Sequence, residues 1–489
     1  MRSVVVFVLG DVGRSPRMMY HAESFANDGF ETYIVGYHGS KPTPALLSTP
    51  HVQFFYLHQL PQFFSRLPFM IVTPIKIIHQ VLAVFITLLF TVPNTPEFII
   101  AQNPPSIPTL MVMWVISYVR PTKVIIDWHN LGYTILALKL GETHLMVRLA
   151  KLIEKYFGRI AYAHLFVTNA MQDFLVTRWN LRGLKIVLHD RPPSHFHRCS
   201  PSETHELFCR LDPNLTSCSS LRSFLPEFEV PYSTPFTMGV PTAPSIWSLR
   251  DGTPSSVHFP TLRAERTALL VSSTSWTADE DFGLLLEALD IYNRVASAKG
   301  GEKTLPRILV MITGKGPLKD MYMGKIQRTQ HAWDFVRCTS TWLDTADYPL
   351  LLGSADIGIC LHSSSSALDL PMKIVDMFGC GLPVCALDFA CLQELVRPGW
   401  NGLIFGSSEE LAGHLISLLR GFPRSPTLET LKSAFVKTLE SPSPSSAHSF
   451  SSSTDVCQGV GSKWEWTSWA DNWNEFVQPI VSESHISQQ

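Results

Sequence analysis

Lys373 and Asp376 stand one helical turn apart in the stretch Leu370-Pro-Met-Lys-Ile-Val-Asp-Met-Phe-Gly379. The glycines at 379 and 381 predict that a short helix stops there, and residues 382–387 read as an apolar strand. Such a stretch offers an ammonium for phosphates, a carboxylate that accepts from ribose hydroxyls, and the free N–H groups of a helix start. Those are the contacts a nucleoside diphosphate needs. Most Lys-x-x-Asp pairs are only solvated helix faces, so the neighbouring pattern decides. Gly314-Lys315-Gly316-Pro317 follows directly on a predicted buried strand over 307–313, where glycines let backbone approach a diphosphate.

A second set lies near the start. The apolar run 4–9 reads as a strand and breaks into Gly10-Asp-Val-Gly-Arg-Ser-Pro-Arg17. Gly10, Gly13, Arg14 and Arg17, with Asp11 beside them, are candidates for an anionic or sugar contact at a strand-to-helix turn. Ser15 is expected to cap the helix that follows, with Pro16 in its first position and Gly29 past its end. A strand over 31–36 then closes a β-α-β unit. Further strands are predicted over 98–101, 123–127 and 164–168. The second of these ends in Asp127-Trp-His-Asn130, which sets an acid and an imidazole, Asp127 and His129, at a strand C-terminus. Each alone is more often a satisfied structural group; together they can orient a sugar or take a proton.

The elements that must position these groups set the class. With 489 residues and 45% apolar content the chain can build two α/β domains. Its formal charge of -2 excludes bulk attraction to nucleic acid. Nine cysteines without paired spacing suit reduced thiols in the cytosol. No signal peptide precedes the first strand. The predicted division is 1–190 as an N-terminal, acceptor- and membrane-facing Rossmann-like domain, 191–262 as an irregular interdomain loop, and 263–435 as a nucleotide-sugar-binding Rossmann-like domain. A Ser-rich disordered insert over 436–461 and a Trp-rich C-terminal helix over 462–489, packing back on the first domain, complete it.

Residues 75–92, between Pro74 and Pro93, form an apolar helix broken by Lys76 and His79. Its uncharged part is shorter than the roughly 20 residues that span a bilayer, which leaves interfacial insertion or burial under a neighbour. Residues 110–119 add a second apolar helix. Asp279-Glu280-Asp281 invites comparison with Asp-x-Asp metal motifs. Following Thr277, these acids are expected instead in the first turn of a helix, where its dipole favours them, and no metal site is assigned.

The segments Gly10-Asp-Val-Gly-Arg-Ser-Pro-Arg17, Asp127-Trp-His-Asn130, Ser272-Ser-Thr-Ser-Trp-Thr277, Asp279-Glu-Asp-Phe282, Gly314-Lys-Gly-Pro317 and Leu370 to Gly379 resemble, in order, those of the chitobiosyldiphosphodolichol β-mannosyltransferases. The resemblance covers about residues 4–405; Asp376 stands where glycosyltransferases of this fold usually carry Glu. It implies an α/β protein of GT-B fold, two Rossmann-like domains whose parallel sheets face a cleft, on the cytosolic face of the endoplasmic reticulum membrane. GDP-mannose would be the donor and dolichyl diphosphate chitobiose the acceptor, joined by an inverting β-1,4 transfer. No tightly bound cofactor and no divalent cation are implied; other dolichol-pathway mannosyltransferases are further partners.

On this reading Gly314, Lys315, Gly316, Lys373 and Asp376 bind the donor, and Gly10, Gly13, Arg14 and Arg17 serve the acceptor or diphosphate. Asp11 is the leading base, with His129 and Asp127 behind it. Members usually carry a spanning helix ahead of the first strand. None precedes it here, so either the chain is truncated or its internal apolar helices attach it. Two alternatives stay open: a GT-B glycosyltransferase of other donor or acceptor specificity, and a non-catalytic membrane-recruiting subunit.

Overall fold

The computed structural model describes residues 2–61, 69–216, 219–240, 259–277, 279–298, 305–363, 366–440 and 468–482. The chain divides into two compact units: residues 1–190, 364–370 and 469–489, then residues 191–363 and 371–468.

Unit 1 is built on a seven-stranded parallel sheet. Its strands are β1 (Ser3–Asp11), β2 (Glu31–Tyr37), β3 (Val52–Tyr56), β4 (Phe98–Asn103), β5 (Lys123–Trp128), β6 (Ile160–Phe166) and β7 (Arg182–Val187), in the order β3-β2-β1-β4-β5-β6-β7. β1 is apolar without alternation and buried from Val4 to Leu9, because helices cover both faces of the sheet.

One face carries α1 (Pro16–Asn27), whose Met18, Ala22 and Phe25 pack with Trp473, Val477 and Val481 from the chain's end. After the short α2 (Pro44–Ser48), the other face receives Val84 of α3 (Phe69–Ile86), Leu88 of the π-turn Thr87–Thr91, and Leu110, Met113 and Ile116 of α4 (Thr109–Val119). Next come α5 (Gly132–Leu140), α6 (Leu145–Phe157) and α7 (Asn169–Trp179). Among the described residues, one stretch, Pro74–Thr91, is long and apolar enough to cross a membrane by length and composition.

Three local expectations change. Ser15 caps no N–H with its side chain; its hydroxyl donates to the Asp11 carbonyl at 3.3 Å, because a 3-10 turn, Val12–Arg14, precedes α1. The apolar helix starts at Phe69 and runs through Pro74, ahead of the expected 75–92. The strand expected over 164–168 begins earlier, at Ile160, where its edge pairs with β7.

Unit 2 opens with a segment that is not an irregular loop. Residues 191–262 contain α8 (Pro201–Thr216), α9 (Ser219–Arg222) and an antiparallel pair, β8 (Thr237–Val240) with β9 (Phe259–Leu262). Leu207, Phe208, Leu211 and Leu215 are buried along α8, so the helix is held by packing that its Pro- and Ser-rich surroundings obscure.

The sheet of unit 2 is six-stranded and parallel: β10 (Ala268–Ser273), β11 (Ile308–Thr313), β12 (Val336–Thr341), β13 (Ile357–Cys360), β14 (Val384–Leu387) and β15 (Gly402–Phe405), ordered β12-β11-β10-β13-β14-β15. Its helices are α10 (Phe282–Ser297), α11 (Lys319–Gln330), α12 (Asp347–Ser354), α13 (Met372–Gly379), α14 (Ser408–Leu419) and α15 (Pro426–Glu440). Two short helices, α16 (Trp469–Asn472) and α17 (Gln478–Ser482), flank the π-turn Trp473–Val477 and belong to unit 1. The Ser-rich stretch from 441, with Trp464 and Trp466, lies outside the described residues.

In both sheets strand order reverses once, between β1 and β4 and between β10 and β13. Ligands of open α/β sheets bind beyond the strand C-termini at such a reversal.

Candidate active site

In unit 1 that position is ringed by the loops after β1, β4 and β5. Asp127, at the end of β5, is fully buried. Arg17 Nε and Nη2 donate to its two carboxylate oxygens at 2.8 and 2.9 Å, His21 Nε2 lies 3.1 Å away, and His129 Nε2 lies 2.7 Å away. Burial alone would raise the Asp127 pKa; the Arg17 charge, then His129 and His21, outweigh it and hold the carboxyl well below its usual range. Arg17 also donates to Leu188 O and Asp190 Oδ1 and sits under the Trp469 ring, 5.5 Å from its centroid.

Two expected roles therefore change. Arg17, with only 4% of its side chain exposed, serves this internal pair and does not face an anionic ligand. Asp127 is no base on a substrate, since it is buried and three side chains, Arg17, His21 and His129, occupy it. His129 differs. Its backbone N–H donates to Asn103 O, its ring keeps 22% exposure, and Asp127 engages only Nε2. With Nε2 donating to an ionised carboxylate, Nδ1 carries the lone pair.

Asp11 is also committed. Its carboxylate accepts from Gly13 N at 3.0 Å, from Ser40 N at 2.8 Å and from Ser40 Oγ at 2.9 Å. Burial opposes ionisation, but the Ser40 contacts with those of Gly13 and Arg14 prevail and lower its pKa. A carboxylate so occupied is a weak proton acceptor, so the leading base expected from sequence is a loop anchor. Gly13 is required by the same clamp, for a Cβ there would lie 2.3 Å from Ser40 O. Gly10 has no such constraint, with only Val8 Cγ1 at 3.6 Å. Arg14 is the exposed cation of the loop, 80% accessible and 3.5 Å from Asp11.

In unit 2 the reversal lies between β10 and β13, and α13 starts just beyond it. Ile374, Val375, Met377 and Phe378 bury one side of α13, which leaves Lys373 and Asp376 on the other. Pro371 at the N-cap makes no side-chain cap, and although Ile374 N donates to Pro371 O, the dipole at the start of α13 favours an anion. Lys373 Nζ pairs with Glu280 Oε1. Glu280 Oε2 in turn accepts from Ser275 N at 2.8 Å and from Thr274 Oγ1. Tyr348 OH bridges Asp376 Oδ2 at 3.5 Å and Ser273 Oγ at 3.1 Å, and burial keeps this phenol protonated.

The acidic triplet does not open a helix turn as expected. α10 begins at Phe282 with Asp281 as its N-cap, while Glu280 turns inward and Asp279 Oδ2 meets His362 Nδ1 at 3.2 Å. The glycine loop has a different neighbour from the one expected. A Cβ on Gly314 would lie 1.8 Å from Thr274 O, and one on Gly316 1.8 Å from Ser275 O, so these glycines seat one loop against another. Lys315 leaves that contact and lies over the Trp342 ring, 3.8 Å from its centroid. A cavity of about 330 Å³ opens there, lined by Met311, Thr339, Ser340, Thr341 and Trp342.

Sequence reasoning missed Glu280, Thr274 and Tyr348. Glu280 was hidden between two other acids, and nothing in its spacing singles out the one that turns inward. His21 was missed as well, being an isolated imidazole on an apolar helix face.

A family model described as Glycosyl transferases group 1 matches residues 266–421. Over 425 residues the chain is 43% identical to the chitobiosyldiphosphodolichol beta-mannosyltransferase of Mus musculus, covering 86% of this chain and 82% of that protein. The chain belongs to the chitobiosyldiphosphodolichol β-mannosyltransferase family. Another similar protein is UDP-glycosyltransferase TURAN of Arabidopsis thaliana, 42% identical over 456 residues that cover 88% of this chain and 92% of that one. Among solved structures, WaaG, a glycosyltransferase involved in lipopolysaccharide biosynthesis, matches with a TM-score of 0.53 at 10% identity over 90% of this chain and 96% of that one. The two parallel-sheet Rossmann-like units of this family member are those of the GT-B glycosyltransferases.

Proposed function

We propose that the protein is an inverting mannosyltransferase that moves mannose from GDP-mannose to dolichyl diphosphate chitobiose, forming a β-1,4 bond, at the cytosolic face of the endoplasmic reticulum. The observation that carries this reading is the 43% identity to the mouse β-mannosyltransferase over 86% of the chain, through both units.

Inversion calls for one in-line displacement. The acceptor O4 hydroxyl gives its proton to His129 Nδ1 as oxygen bonds to C1 of mannose, and the bond from C1 to the diphosphate oxygen breaks. Asp127 stabilises the resulting imidazolium, itself held ionised by Arg17. The departing GDP is neutralised by Lys373, by the N-terminal end of α13 and by Lys315. Asp376 accepts from the ribose hydroxyls, and the cavity beside Trp342 has room for the base.

Asp279, Glu280 and Asp281 point to three different partners, which supports transfer without a divalent cation. Activity is expected to survive chelation by EDTA.

The decisive assay is transfer to a lipid-linked chitobiosyl diphosphate in detergent, with Lys373→Ala beside wild type. A β-mannosylated product from wild type and a loss of more than about 100-fold in the variant support the reading. GDP binding without transfer would leave the donor half standing and sink the acceptor assignment. A second reading, a UDP-sugar donor, draws on the name of the plant relative. Product from UDP-glucose but not from GDP-mannose would favour it.

A further inference from the structure

Helix α5 is apolar at nearly every position, yet none of its nine residues is buried. Beside it, α6 buries Val147, Ala150 and Glu154 and turns a stripe outward: Leu145, Leu149, Leu152 and Tyr156 are 77%, 54%, 64% and 68% exposed. These residues recur every three or four positions, so they form one continuous apolar face of the helix.

The charges on this surface are mostly positive. Arg148, Lys151 and Lys155 are exposed on α6, and Lys139 is exposed on α5. The only acid of α6, Glu154, is drawn inward, where it accepts from Gly132 N, Tyr133 N and Asn103 Nδ2. Glu142, in the turn between the helices, is the one acid of the pair that faces water. A helix presenting Leu and Tyr interleaved with Lys and Arg has the composition of one that lies in a lipid headgroup layer.

The surface continues sideways. α6 packs on α4 and α4 on α3, and α3 with its π-turn exposes Ile78, Leu82, Ile86 and Phe90. We propose that α5 and α6 dock unit 1 flat on a bilayer bearing anionic headgroups, with the outer side of α3 extending the contact. This deepens the proposed reaction, on which it rests for its consequence: α5 begins three residues after His129, so a bilayer held against α5 keeps a lipid-linked acceptor near that imidazole.

Flotation of the full chain with vesicles tests the contact without catalysis. Wild type is expected to float with phosphatidylcholine vesicles containing phosphatidylserine, and less in high salt. Leu149→Glu with Leu152→Glu should weaken binding more than about ten-fold, and Lys151→Glu with Lys155→Glu should do so for anionic vesicles only. GDP affinity, a property of unit 2, and the melting temperature check that each variant is folded. If the leucine pair fails to fold, the lysine pair carries the test. Flotation of folded variants equal to wild type overturns the proposal. So does a wild type that stays off vesicles as a dimer and becomes monomeric in the leucine variant, which would make the face a contact between copies. Vesicle binding without mannosyl transfer would leave the docking face intact and refute the reaction instead.

Discussion

His129 and Asp11 separate two ways in which a polar side chain at a strand end can be used. Asp11 accepts from Gly13 and Ser40 with Arg14 beside it, so its carboxylate closes a loop. His129 spends only Nε2 on Asp127 and keeps a partly exposed ring. His129→Ala should therefore lower kcat by about 10²- to 10⁴-fold with little change in the donor KM. Asp11→Asn, which keeps an accepting oxygen, should cost no more than about ten-fold, through loop geometry. The reverse ranking in steady-state kinetics would return Asp11 to the role of base. The sequence showed that both groups stand at strand ends, but the partners that decide between them come from Arg17, His21 and Ser40, remote in the chain.

A second imidazole makes a pH prediction. His164 is buried in β6, with Nδ1 accepting from Trp128 Nε1 and Nε2 donating to Arg182 O, a pattern that fixes the neutral ring. Burial lowers its pKa to about 4 from a usual 6.5. Below pH 6.5 the unfolded chain binds a proton that the folded one refuses, so stability falls with pH down to about pH 4 and is flat above 6.5. The slope is about 1.4 kcal/mol per unit, or roughly 2 kcal/mol between pH 6.5 and 5. Urea unfolding at several pH values should show this slope, and His164→Gln should reduce it by that one proton.

At the level of elements, strands and helices were legible where their apolar pattern is long. β1, α1 and β11 fall within a residue or two of their expected bounds, because a parallel strand buried on both faces is a continuous apolar run. α8 was not legible, since Pro201, Pro213 and several polar residues dilute the signal that Leu207, Phe208, Leu211 and Leu215 supply.

The glycine loop after β11 shows that a glycine motif can be required by the packing of two loops. Gly314 has φ +141, and its missing side chain makes room for Thr274 O. Gly314→Ala is thus expected to cost at least about 2 kcal/mol of unit 2 stability. It should also weaken GDP binding by displacing Thr274 from Glu280 and, with it, Lys373. Gly413→Ala, in α14 with nothing within 4 Å of the new methyl, should be neutral or stabilising. Equal melting temperatures for the two variants would show that the loop contact is dispensable.

At the scale of the whole molecule, the chain leaves unit 1 at residue 190, builds unit 2 with one return to unit 1 over 364–370, and comes back finally with α16, the π-turn and α17. The return matters to chemistry as well as to stability. Trp473 is 1% exposed, meets Phe25 edge-on at 4.8 Å, and donates from Nε1 to Asp28 Oδ2 at 3.0 Å. Trp469 and Trp473 also wall in His21, at 5.1 and 5.4 Å, and Trp469 covers Arg17. The last described turns therefore keep water from the ion pair that holds Asp127 ionised behind His129. Trp473→Ala should destabilise unit 1 by about 3–5 kcal/mol. At a temperature where the variant remains folded, it should also lower kcat while GDP affinity, a property of unit 2, stays as in wild type. Turnover that is unchanged in the folded variant would mean that the Asp127 network stands without its aromatic wall, and the C-terminal return would then be structural alone.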